Sequence, residues 1–187
     1  MPPLGRTCGF LALTVLVICA TFAGAQAPGY SPMLEGSSAI VPGYAMGPFT
    51  LDLSIGDLYW RLGQTQVHLN GLGPQFRPGI EGRFWWGLNV EVLSTAAENA
   101  IVALGSPSSD YATRQHIGVG SQESKVMSTY GKPSAVVQLT ARPKVVIYDN
   151  LGVAFQFPYK IAEGGYDDCD SVFVFRPGQA GLIWRTP

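Results

Sequence analysis

Charge is scarce in this chain: 12 basic and 13 acidic residues among 187, for a net charge of −1. There is no basic stripe, which excludes the electrostatic footprint of a nucleic-acid binder. Histidine occurs twice, as His68 and His116, and cysteine three times. That leaves few of the groups from which general bases and metal sites are built. A G-x-S-x-G elbow, an H-E-x-x-H helix and a glycine-rich phosphate loop are all missing. We therefore expect no catalytic residue, no metal site and no cofactor.

Long hydrophobic runs are missing too, except at the N-terminus. FLALTVLVICA, ending at Ala20, follows a single positive charge at Arg6 and precedes Ala23-Gly24-Ala25. A run of this length is short for a membrane span and suits a signal peptide over residues 1–25, cleaved before Gln26. Lipid anchoring at Cys19 fits less well, because bulky Ile18 stands where lipidation wants a small residue. The expected protein is exported, secreted or periplasmic, with no membrane-spanning segment once processed. Taking 25 residues from 187 leaves 162, enough for one domain or two small ones. Cys8 and Cys19 leave with the signal, so Cys169 stays alone and a hydrophobic core has to hold the fold without a disulfide.

What is present falls into a pattern. Residues 26–48 are rich in proline and glycine without a period and read as an irregular N-terminal arm. Leu51, Ile55, Leu58 and Leu62 then mark one helical face, with a capping signal at Ser54 and Asp57 and a stop at Gly63. RFWWGLNVEVL and AIVAL follow as strands. The plan recurs: Gly120-Ser121 opens a helix whose apolar face is Val119, Val126, Met127 and Tyr130, closed by Gly131-Lys132-Pro133. KVVIYDNLGVAFQF then reads as two strands joined at residues 149–152, and SVFVF as the last strand. Placing Gly131 over Gly63, an offset of 68, superposes Val126 on Leu58 and Tyr130 on Leu62. The first copy's hairpin turn falls about two residues shorter. The expected fold is α+β: two tandem repeats over 49–112 and 113–187, each a short helical segment packed on an antiparallel β-sheet.

At Gly120, Val126, Tyr130, Gly131 and Pro133 the chain resembles the SmpA/OmlA group of outer-membrane assembly lipoproteins. Their recurring feature is a glycine, a short helix and a G-x-P before the first strand. In its tandem arrangement, over roughly residues 49 to 176, it is also similar to the secreted β-lactamase inhibitory proteins. Both resemblances imply a helix-plus-sheet architecture and a protein-binding role. The first copy departs from the pattern, with Gly63-Gln64-Thr65 in place of G-x-P and Asp52 where the leading glycine would stand. The disulfides of the inhibitory proteins have no counterpart here.

Candidate site residues follow from strand parity. Trp85 and Trp86 are adjacent, so they face opposite sides of the sheet. The Phe84/Trp86 side is the more apolar and is assigned to the core. Trp85 and Arg83, with Tyr148 at the corresponding place of the second repeat, are the expected binding residues for a partner protein. Both faces of the last strands are apolar, so something has to cover the second face. The acidic run Asp167, Asp168 and Asp170 reads as a solvated loop with a poorly nucleophilic Cys169, since negative neighbours disfavour the thiolate. The alternative reading is a secreted hydrolase using His116 with a nearby acid.

Overall fold

The structure, a computed structural model, describes residues 38–62, 67–69, 73–95, 100–139, 142–160 and 165–185. The expected signal segment, most of the N-terminal arm and Gly63 lie outside them. With mostly sheet and three short α-helices among the described residues, the fold is α+β.

Eight strands form the main sheet. Four come from the first half: β4 (Val67–Leu69), β5 (Ile80–Trp85), β6 (Val90–Thr95) and β7 (Ile101–Ser106). Four come from the second: β9 (Ala135–Gln138), β10 (Lys144–Tyr148), β11 (Val153–Phe157) and β14 (Ser171–Phe175). The order is β4-β5-β6-β7-β14-β11-β10-β9, antiparallel throughout. The two meanders therefore meet at their last strands, β7 beside β14. Each is preceded by an eight-residue helix, α1 (Ile55–Leu62) or α2 (Glu123–Tyr130). A small hairpin, β12 (Tyr159–Lys160) with β13 (Gly165–Tyr166), interrupts the second meander.

Local chemistry sets these elements. α1 starts on a capping box: the Asp57 N–H donates to Ser54 Oγ at 3.1 Å, and the Ser54 N–H donates back to Asp57 Oδ2 at 2.9 Å. α2 ends at Gly131, whose φ of 79° and ψ of −151° belong to a region open essentially to glycine. Of the residues expected on its apolar face, Val126 is buried, while Met127 is exposed.

The arm is not wholly irregular. β1 (Ala39–Val41), β2 (Ala45–Met46), β3 (Phe49–Thr50) and β8 (Ala112–Thr113) make a second sheet in the order β3-β2-β1-β8. Strands of two or three residues carry no readable period, and they form because Ile40, Met46 and Phe49 are buried in the core.

That small sheet joins α1 and α2 in covering one face of the main sheet, packing Leu51, Ile55, Leu58 and Val126 against Val92, Leu104, Val146, Val174 and Phe155. The other face is covered by α3 (Ala180–Ile183), Trp184 and Phe76, packed on Leu93, Val145, Ile147, Phe173 and Phe175. The Trp184 ring stands edge-on to Phe175 at 4.9 Å and to Phe173 at 5.9 Å. Among the described residues no helix is long and apolar enough to cross a membrane.

Candidate functional site

The expected patch of Trp85, Arg83 and Tyr148 is not a surface. Trp85 is 5 % exposed, Tyr148 3 % and Arg83 8 %. Trp85 and Tyr148 do hold matching places, each the last residue of its strand before a hairpin turn, but both turn inward beneath their own helix. Tyr59 of α1 packs on Trp85 with ring centroids 6.1 Å apart, and Tyr130 of α2 packs on Tyr148 at 5.3 Å. The Tyr148 hydroxyl donates to the Gly131 carbonyl at 3.1 Å, and burial raises its pKa, with Glu123 adding to the effect.

Arg83 is buried because its fork is filled. It donates to the Tyr59 hydroxyl at 3.2 Å, to Ser94 Oγ at 2.5 Å and to Glu81 Oε2 at 3.1 Å. Lys144 repeats the device under α2: its ammonium pairs with Glu123 and lies 4.2 Å from the Tyr166 ring centroid. A buried cation is tolerated when paired and hydrogen-bonded. Neither position was open to a partner.

The residues assigned to the core on the opposite parity behave differently. Phe84 is buried, but the chain leaves the strand after Trp85 into a 3-10 turn over Trp86–Leu88, and Trp86 is 60 % exposed. The turn closes on Asn89, left-handed at φ 50°, and is pinned from below. Ser106 Oγ donates to the Asn89 carbonyl at 2.6 Å, and the Tyr111 hydroxyl donates to that of Leu88 at 3.1 Å. Trp86 thus rests on a fixed loop, edge-on to Phe84 at 4.7 Å.

Directly across from Phe84 on β6 stands Glu91, and across from Glu91 on β7 stands Gly105. The Phe173 ring fills the space over that glycine, where a Cβ would come within 2.7 Å of the ring and 3.6 Å of Glu91 Cβ. Glu91 is therefore a half-buried carboxylate flanked by Phe84 on one side and Phe173 on the other, with exposed Trp86 and Leu88 beyond. No cation among the described residues pairs with it, and burial alone pushes its pKa up to about 7. Sequence parity could not find Glu91: its neighbours in the chain are Val90 and Val92, and Phe84 and Phe173 flank it only across strands.

The remaining sequence candidates are dispersed. His116 sits exposed on a turn at φ 57°, with no ion pair to an acid among the described residues. His68 is on β4, outside those whose side chains are described. The acidic loop is solvated at Asp167 and Asp168, as expected, but not at Cys169. That residue is 2 % exposed, tucked against the start of α2 by backbone hydrogen bonds to Ser121 at 3.0 Å and from Gly120 at 2.8 Å. Burial, more than the neighbouring aspartates, drives its thiol up to about 12. Asp167 pairs with Lys160 at 3.3 Å, and no group of metal-ligating side chains forms among the described residues.

No protein-family model matches this chain, and none of the curated proteins does. Among solved structures it is similar to the uncharacterized protein yfeY from Escherichia coli, at 8 % identity and a TM-score of 0.48. That match spans 74 % of this chain and 98 % of the other. It is also similar to a cysteine-rich secretory protein from Staphylococcus aureus, at 12 % identity and a TM-score of 0.36, over 72 % and 48 % of the two chains. With both scores below 0.5, neither likeness bears on what the site does.

Proposed function

We propose that this chain is an exported, non-enzymatic binding module that takes a basic segment of a partner protein at the Trp86 end of its sheet. The observation that carries this is the unpaired Glu91 carboxylate between Phe84 and Phe173, beside an exposed tryptophan on a pinned turn. A lysine or arginine head entering there would meet both a carboxylate whose charge is poorly solvated and an aromatic face. Tryptophan and arginine are the residue types that dominate binding hot spots. Export rests on the apolar run before Ala23-Gly24-Ala25. A tandem origin accounts for the two helix-then-meander halves.

The test is titration of the processed chain with a tri-arginine peptide, read by tryptophan fluorescence. Saturable binding that is lost in Trp86→Ala and Glu91→Gln, yet kept in the exposed-acid control Asp110→Asn, supports the proposal. Equal binding of a tri-glutamate peptide, or indifference to both variants, overturns it.

A further inference from the structure

On the helix-bearing side of the molecule, far along the chain from Glu91, a hollow of 390 Å³ opens between the β1–β2 turn and the C-terminal end of α2. Ile40, Val41, Pro42, Tyr130 and Leu151 wall it, and Arg114 stands at its rim. Its size falls within the range of small-molecule sites, about 300 to 1,000 Å³. A second hollow of 180 Å³ shares the Tyr130 and Leu151 walls and carries Lys132. No acidic side chain lines either one.

The walls are fixed before any ligand arrives. The Gly43 N–H donates to the Gly152 carbonyl at 3.1 Å, which locks the β1–β2 turn carrying Pro42 onto the β10–β11 turn carrying Leu151. Tyr130 is held by its stack on Phe155 at 5.6 Å, and its buried hydroxyl makes no well-formed hydrogen bond, with Thr113 beside it. Arg114 and Lys132 make no ion pair or side-chain hydrogen bond among the described residues. His116 lines a neighbouring groove with Arg114, and Tyr130 lines the hollow itself; burial raises the Tyr130 phenol's pKa, so neither brings a negative charge. An apolar, preformed hollow with an uncommitted guanidinium at its mouth lacks one thing, an anion attached to something greasy. A guanidinium's planar fork matches a carboxylate.

We propose that this hollow binds a single-chain carboxylic acid of medium length, its acyl chain against Val41, Pro42 and Leu151 and its carboxylate on Arg114. The site is independent of Glu91 and of the partner suggested for it. Decanoate and decanol, titrated separately into the processed chain by calorimetry, test it. Decanoate binds one to one, and decanol at least tenfold more weakly. Arg114→Gln weakens decanoate at least tenfold and leaves decanol unchanged, while Leu151→Trp, which fills the hollow, abolishes both. Arg114 and Leu151 are both exposed, so an unchanged melting temperature shows that each variant is folded. The proposal is overturned if decanoate does not saturate, if it binds the Leu151→Trp chain as well as the original, or if Lys132→Gln rather than Arg114→Gln removes it.

Discussion

The two long hairpins, β5–β6 and β10–β11, are built alike and finished differently. Each turn holds four residues, 86–89 and 149–152, correcting the expectation that the first is shorter. Each follows an aromatic residue buried by a helix. The second turn is clasped from outside. At Gly152, φ is 68° and a Cβ would come 2.1 Å from the Phe175 carbonyl oxygen and 2.6 Å from Gly43 Cα. In the first turn the matching place belongs to Asn89, also left-handed at φ 50° but exposed, and nothing lies within 4 Å of a Cβ added at Gly87 beside it. The second turn is covered from outside by the β1–β2 turn; the first is held only from below, and its half carries the exposed tryptophan and the unpaired carboxylate. A shared architecture thus leaves room for function where the covering layer stops.

The largest effect should separate the neighbouring tryptophans. Trp85→Ala is expected to cost about 3–5 kcal/mol by urea denaturation, since it empties a core position. Trp86→Ala should stay within about 0.5 kcal/mol. Equal costs would erase the distinction between inward and outward positions. Next, Gly152→Ala should lose about 2–4 kcal/mol, through backbone overlap and a strained positive φ, against almost nothing for Gly87→Ala. Similar melting temperatures for the two would mean that the second turn is not clasped.

Glu91 gives a pH signature that differs from the second half's, where burial also raises Asp170 but Gln156 donates a hydrogen bond to its carboxylate. The folded pKa of Glu91, about 7, exceeds the usual carboxylate value, so between the two the folded chain holds a proton that the unfolded chain has released. Stability from this group is therefore full below the ordinary carboxylate range and is lost as pH rises through 7. Relative to Glu91→Gln, the original chain should lose about 1–2 kcal/mol between pH 5 and pH 8 in urea melts. Parallel profiles would place the carboxylate in water. The smallest effect, about 1 kcal/mol, is expected for Cys169→Ser, which exchanges a buried sulfur for a hydroxyl that wants a partner. An unchanged melting temperature would return Cys169 to the solvent.

Sequence periodicity revealed what local chemistry decides. The cap at Ser54 and Asp57, the stop at Gly131 and the strands around residues 149–152 were all readable, because each depends on residues a few positions apart. The short strands β1, β2, β3 and β8 were not, since two or three residues show no period. Nor was the fate of Arg83, whose partners Tyr59 and Ser94 come from other elements. The inward turn of Trp85 was hidden for a related reason. Both sheet faces are covered in the middle, so neither Arg83/Trp85 nor Phe84/Trp86 shows the polar alternation that marks an outside. Finding the site needed the point where cover ends, and that is set by α3 and Trp184, a hundred residues away in the chain.

The place of β14 has a consequence for how the molecule is made. Of the eight strands in the main sheet, the last to leave the ribosome is the one that joins the halves in mid-sheet, pairing Phe173 with Gly105 and Phe175 with Ala103. Until it arrives, Ile101 to Ser106 form an apolar strand with one edge unpaired, an invitation to pair with another chain. A nascent protein of this order cannot close its sheet progressively from one end. It waits for β14, and a chain cut short before residue 171 loses the seam rather than a border strand.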